Sequence, residues 1–526
     1  MKTLFTNGEI WCSRGSYTNA VLVEAGKVTA LGETAIKAEY DENIDLDGKF
    51  LAPGFIDAHA HPLFAGRESQ GPNVSGLQSV TEIVAAVADY IKHNPQLSWV
   101  IGGAYEASLV VGGDFEASAL DAASRDIPIV LHAVDHHTIW VNSRALELAG
   151  ITTATVDPEG GTIARYNDGS PKGTLREPSA IDLVLRCAPH RTLDDDVAAI
   201  SWACARYLES GVTSATDAWV EPGMPEAYIE ADRRGLLTID TNLFFLAQPD
   251  TWRSYSDDFI KFREEIEKFP PTSHLSAKTI KFICDGALSA GTASLLEPYL
   301  DEPQSTGLLI WSEDELIDAM AHFDALGFQI HAHAIGDAAI RQALNAIEAV
   351  TKINPHWDRR PVIAHAQLIH TDDLPRFAQL GVIANIQPLW TYFDPMNAQL
   401  IEPRIGKERN NQQYQLASLQ RSGARISYGS DWPVTSHIPL EALAVPTHRT
   451  APGTDVAWSP EESISVEDSF SHYTADAAYS NFWNKGVIAI GADADFVVLN
   501  KNPLTEYSKK VSEIKVLQVY VNGLKV

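Results

Sequence analysis

Basic residues, sulfur and long apolar runs are all scarce in this chain of 526 residues. Its 40 Lys and Arg stand against 69 Asp and Glu, a formal net charge of -29. That balance excludes a surface built to neutralise phosphates, and with it nucleic acid as a partner. An acidic, self-repelling surface is expected, and the charge names no substrate. The cysteines number four, Cys12, Cys187, Cys204 and Cys284, and none forms a C-x-x-C pair. A disulfide framework and a thiolate zinc site are therefore not expected, and free thiols in a reducing compartment are. The opening MKTLFTNGEIWC lacks the apolar core and cleavage site of a secretory signal. No run approaches the roughly 18 apolar residues of a membrane span. The expectation is a cytoplasmic protein with no membrane partner, too long for a single small module.

What is present falls into two rhythms. The first fifty residues alternate short strand-like runs with Asn-Gly, Ala-Gly and Asp-Gly turns, and ADFVVLNKNPL and VLQVYVNGLKV repeat that grammar at the far end. Chain ends often lie close together, so one β-domain assembled from both termini is expected. Between them, apolar runs alternate with amphipathic helices: GFIDAHAH, GVTSATDAW, TIDTNLFFL, TIKFICDG, FQIHAHAIGD, PVIAHAQ, VIANIQP and RISYGSDWP. Near-continuous apolar strands separated by helices indicate a parallel sheet covered on both faces. SEDELIDAMAHFDALG shows the helical grammar, opening on a capping box, Ser312 to Glu315, and stopping at Gly327. Eight such strands predict an α/β fold, a (β/α)8 TIM barrel. The first run ends near His61 and the second begins near Gly211, too far for one βα loop, so an inserted subdomain is expected after strand 1. The boundaries expected are 1–52 plus 485–526 for a small composite β-sandwich, 53–66 plus 195–484 for the barrel, and 67–194 for an insertion contributing to the active-site cover. The stretch LWTYFDPMNAQLIEPRIGKERNNQQYQ reads as a lid or rim loop.

A barrel places its active site at the C-terminal strand ends. The first run ends in His59 and His61, the fourth carries Lys281, the fifth His331 and His333, the sixth His365 and the eighth Asp431. The second, third and seventh offer nothing comparable. Residues i and i+2 share a strand face, so His59 and His61 can chelate one ion together. Among 17 histidines a His-x-His alone is weak, and the weight comes from further ligand types at the same end. Of the fifth-strand pair, His333 is the expected ligand and His331 packs one layer deeper. A lysine within an apolar strand must be neutralised, paired or modified. Pairing with Asp285 is the plainer alternative; carboxylation by carbon dioxide would make Lys281 an anion able to bridge two metals. Asp431 could be a turn residue beside Gly429 and Ser430, but its place favours metal ligation and proton transfer.

These residues together resemble the amidohydrolase superfamily nearly end to end: His-x-His on strand one, lysine on strand four, single histidines on strands five and six, aspartate on strand eight. The pieces PGFIDAHAHP, WVNSRAL, IKFICDGALSAGTASL, HAHAIGDAAI, IAHAQL, YGSDWPV and GADADFVVLNKNPL resemble the subgroup called amidohydrolase family 3, or YtcJ-like, which includes N-substituted formamide deformylases. That subgroup has the composite β-domain and the large insertion. The resemblance implies metal binding by His59, His61, Lys281 (carboxylated), His333, His365 and Asp431. It also implies substrate contacts from the insertion by His137 and by Arg176 or Glu177. One departure is local: DHHTIWVN places His136 where the subgroup carries a glycine.

The activity expected is hydrolysis of an amide or other C-N bond of a small molecule, such as an N-substituted formamide or N-acyl compound. One or two Zn2+ ions, or another divalent metal, activate water. Asp431 accepts its proton and returns it to the departing nitrogen. The alternatives are a mononuclear-metal deaminase of a heterocycle, against which Lys281 counts, and a non-catalytic binding barrel, against which the full ligand set counts. Trp390, with Tyr392 and Trp432, suits a flat or apolar substituent, core or rim packing being the other use of such aromatics. A homodimer is the expected assembly.

Overall fold

Turn chemistry cuts the first fifty residues into β1 (Lys2–Ser13), β2 (Ser16–Glu24), β3 (Lys27–Leu31), β4 (Glu42–Asp45) and β5 (Phe50–Pro53). This computed structural model describes residues 1–134, 136–158, 160–451, 454–505 and 513–526. The first three strands pair antiparallel, and β4 and β5 join β1 in parallel. Alternation assigns the faces: Phe5, Val21, Val23 and Val28 enter one apolar core, while Leu4, Ala20, Leu22 and Ala30 pack on the other side with Ala35 of the helix Gly32–Ile36.

The next strand, β6 (Phe55–Ala60), carries the first histidine pair toward its end. An inserted sheet follows, of β7 (Val100–Tyr105), β8 (Ile129–Ala133), β9 (Thr138–Val141), β10 (Thr162–Arg165) and β11 (Pro171–Arg176), ordered β10-β11-β9-β8-β7. Every other expected apolar run then becomes a strand: β12 (Val212–Val220), β13 (Asp240–Ala247), β14 (Leu275–Ile283), β15 (Gln329–Ala334), β16 (Val362–His365), β17 (Ile383–Ile386) and β18 (Arg425–Tyr428). With β6 they form one eight-stranded parallel sheet in sequence order. The sheet nearly closes into a barrel. Just beyond β18, the Asp431 N–H donates to the His59 carbonyl (2.8 Å) and the His61 N–H to the Trp432 carbonyl (2.7 Å). A Cβ at Gly429 would lie 2.4 Å from the His59 Cβ, so only glycine lets the seam approach this closely.

The capping box is formed: Ser312 Oγ accepts from the Glu315 N–H and heads the helix Glu313–Ala325. The connection after β17, expected as a lid or rim loop, is a 3-10 turn at Pro388–Trp390, a π-helical turn at Asn397–Ile401 and a helix at Glu402–Asn410.

Finally β19 (Phe496–Leu499), β20 (Val516–Val521) and β21 (Leu524–Lys525) return to the start of the chain. β19 pairs antiparallel with β5, so strands from both termini share one sheet, and Phe496, Val498 and Tyr520 enter the core of Phe5. The chain divides into two compact units: Met1–His61 with Cys204–Trp432 and Ser436–Val526, and Pro62–Ala203 with Pro433–Thr435. The second has its own core, in which Phe115 and Trp140 meet at 4.9 Å and Tyr105 packs on both. Among the described residues no helix is long and apolar enough to cross a membrane.

Candidate metal centre

The strand alternation that buries β6 also aims His59 and His61 to one side, both buried. Asp431, brought alongside by the seam, completes a cluster: one ligand atom each from His59, His61 and Asp431, all within 4.8 Å of one another. Asp431 Oδ1 lies 3.0 Å from His61 Nε2 and 3.5 Å from His59 Nε2. Lys281 Nζ, 2 % exposed, lies 3.4 Å from the same His59 nitrogen. The His365 ring is 5.0 Å from that of His59 and 4.6 Å from that of His333. Two imidazoles and a carboxylate converging in a buried site fit a divalent ion of the zinc type.

Electrostatics keep these donors available. Burial pushes His59 well below its ordinary range and His365 down to about 3, so both are neutral with a free lone pair at physiological pH. Burial also brings the Lys281 amine down to about 7, against the attraction of Asp431. For Asp431 itself burial acts upward, but the His61 hydrogen bond and the nearby His61 and Lys281 outweigh it and hold the carboxyl below its usual range.

Three residues here sit in the left-handed region without being glycine: His365 (φ 68°), Ala366 (φ 41°) and Asp431 (φ 58°). Such conformations cost of order 1–3 kcal/mol each and persist where surroundings enforce them, most often at functional sites. For Asp431 the enforcement is visible. Asp57 accepts from the Ser430 N–H (2.8 Å) and from the Tyr207 hydroxyl (3.1 Å), pinning the end of the last strand to the first.

The carboxylate of Asp285 is not committed to Lys281. It accepts from the backbone N–H groups of Ser294, Ile335 and Gly336 and lies 3.3 Å from His333 Nδ1. His331, level with Lys281 in the β14–β15 register, lies one layer beneath His333.

The second, third and seventh strands, expected to offer nothing comparable, do contribute. Gln387, just past β17, turns its amide oxygen to His365 Nδ1 at 2.8 Å, which leaves Nε2 as that ring's lone pair. Its own amide donates to Asn385 Oδ1, fixing which way it points. Asp217 on β12 comes to 3.9 Å from His61 Nδ1 and accepts from the Tyr228 hydroxyl, and the Trp219 ring lies 6.3 Å from that of His61. Phe244 on β13 packs against His331. The signal for Asp217 and Gln387 was a polar residue inside an apolar strand run, which carries no ligand signature of its own.

Trp390 stacks on His365 at 5.4 Å with an interplanar angle of 7°. Trp432 is buried against Tyr207 and His437 instead. The remaining expected residues belong to the second unit: His137 Nδ1 lies 2.9 Å from Glu177 Oε2, and Arg176 donates to Asp114 Oδ1 at 2.6 Å. His136 there takes φ 55°, the conformation a glycine would adopt freely, with Nε2 3.1 Å from Glu68 Oε1. Its neighbour Asp135 lies outside the described residues.

The chain is 31 % identical to Protein LONG AFTER FAR-RED 3 of Arabidopsis thaliana, over 99 % of this chain and 90 % of that protein. It is 27 % identical to the N-substituted formamide deformylase of Arthrobacter pascens, over 97 % and 95 % of the two. The fold matches the crystal structure of an uncharacterized metal-dependent hydrolase from Pyrococcus furiosus with a TM-score of 0.75 at 24 % identity, covering 96 % of this chain and all of that one. Residues 42–526 match the family model described as the amidohydrolase family, and the chain belongs to that family.

Proposed function

We propose that this amidohydrolase cleaves an amide or related C-N bond of a small molecule, with a divalent metal, zinc by donor preference, held by His59, His61, His333, His365, Asp431 and Lys281. The observation that carries this reading is the convergence of the His59, His61 and Asp431 ligand atoms, with the Lys281 amine beside them. An amine whose pKa is about 7 is uncharged in about half of the molecules at neutral pH, and that form can attack carbon dioxide; loss of one proton from the adduct leaves a carbamate, an anion in place of a buried cation. A metal held there would supply an activated water and polarise the substrate carbonyl. Asp431 would take the proton of the attacking water and deliver it to the nitrogen that departs, a role its ionised carboxylate and its hydrogen bond with His61 support. Trp390, stacked on His365, gives a flat face for a substituent. His137, Arg176 and Glu177 are the substrate contacts this reading assigns to the inserted unit. The named activity of the Arthrobacter relative makes N-substituted formamides the first compounds to assay. Four free cysteines suit a reducing, cytoplasmic setting, and a homodimer is the assembly to test first.

The test is elemental analysis of protein purified without chelator, with native intact mass and an amide panel. Two metal equivalents, the mass of one added carbon dioxide and turnover of an amide are the expected results. One tightly held metal with an unmodified lysine would favour deamination of a heterocycle. No metal after supply of zinc and bicarbonate would sink the reading.

A further inference from the structure

Resting on that metal-site reading, we infer that His331 is a positioning residue, whose Nε2 holds the His59 ring so that His59 Nε2 presents its lone pair to the metal.

The two rings are 4.9 Å apart between centroids, and His59 Nδ1 lies 2.8 Å from His331 Nε2. A hydrogen bond between two neutral imidazoles holds one proton, so one nitrogen donates and the other accepts. A metal ligand at His59 Nε2 requires the proton on Nδ1, and His331 Nε2 is then its acceptor. On the other side of His59 the Lys281 amine, 3.4 Å away, supplies N–H donors to Nε2, which agrees with a lone pair there. The competing acceptor, Asp431 Oδ1, is 3.5 Å from His59 but 3.0 Å from His61, its closer partner.

The second observation is the cost of having a histidine at this depth. His331 is 1 % exposed, and its Nδ1 finds no hydrogen-bond partner among the described residues. Leaving a buried polar group unmet costs about 1–3 kcal/mol. Packing on Phe244, 4.7 Å away, would be met as well by a leucine or phenylalanine with no such cost. The bond to His59 is what the polar ring adds. It also completes a pattern: Gln387 holds His365 by Nδ1 from the seventh strand as His331 holds His59 from the fifth. Outer partners of this kind typically change metal affinity 10–100-fold.

The experiment compares wild type, His331→Leu, His331→Phe and His331→Gln, each made metal-free, checked for a cooperative thermal transition, and titrated with zinc against a chromophoric chelator. The expected result is zinc affinity at least ~10-fold weaker in the two apolar variants, with the glutamine variant, whose amide oxygen can accept, closer to wild type. Wild-type affinity in a folded apolar variant overturns the inference, as does an equal loss in all three. A measurement on zinc-loaded wild type does not depend on any variant folding. Spectra of 15N-labelled histidine should show His59 protonated at Nδ1 and slow to exchange with solvent. Rapid exchange at that proton overturns the positioning role. A wild type that takes up no zinc would instead remove the metal-site reading itself.

Discussion

Replacing Lys281 by methionine should make the metal-free protein more stable while abolishing its activity. The side chains are similar in length, and the amine is 2 % exposed and brought by burial from 10.5 to about 7. Below a pH of about 7 the lysine is protonated in both folded and unfolded chains, and folding carries the full penalty of burying the cation. Between about 7 and 10.5 the unfolded chain binds a proton that the folded chain does not, so stability rises with pH. The fall from 10.5 to about 7 corresponds to about 5 kcal/mol across that window. The assay is urea unfolding of both proteins in chelator and carbonate-free buffer at pH values of about 7.5 and about 9.5. Wild type should gain about 3 kcal/mol more than Lys281→Met between them. Equal slopes in the two proteins, or a variant less stable at the lower pH, would refute the reasoning. Residues that serve chemistry at the expense of the fold behave in this way.

Asp431→Asn keeps the shape but removes the proton acceptor, and kcat on an amide substrate should fall about 10²–10⁴-fold with the thermal transition retained. Gly429→Ala sets a Cβ 2.4 Å from that of His59, and the variant should lose zinc binding together with cooperative unfolding of the barrel. Trp140→Ala empties the core of the inserted unit, at a cost of about 3–5 kcal/mol, and limited proteolysis should then cut within 62–203 before the barrel strands. Gln387→Leu removes the acceptor on His365, so zinc affinity should drop about 10–100-fold in chelator competition.

The barrel was legible because each of its strands is an apolar run bounded by turn signals, and the period of two then assigns faces within a strand. His59 and His61 follow from that rule alone, and the Ser312 helix from its cap. A single strand's pattern carries no information about its neighbours, and there the expectations fell short. Asp57 and Asp285 accept from backbone N–H groups of neighbouring loops, partnerships that the pattern of their own strands does not announce. Asp217 and Gln387 face histidines on other strands, a fact set by register between β12 and β6 and by the turn past β17. The deeper placement of His331 was readable; its bond to His59, 272 positions away, was not.

The seam between the first and last barrel strands has a consequence for how the protein is made. His59 and His61 leave the ribosome early, but the partner that completes their ligand cluster is Asp431, whose N–H also closes the seam on the His59 carbonyl. A nascent chain therefore carries its His-x-His pair for most of its synthesis before Asp431 joins it. The cluster of His59, His61 and Asp431 is therefore complete only once 370 further residues have followed His61, and it exists only where the barrel seam has closed.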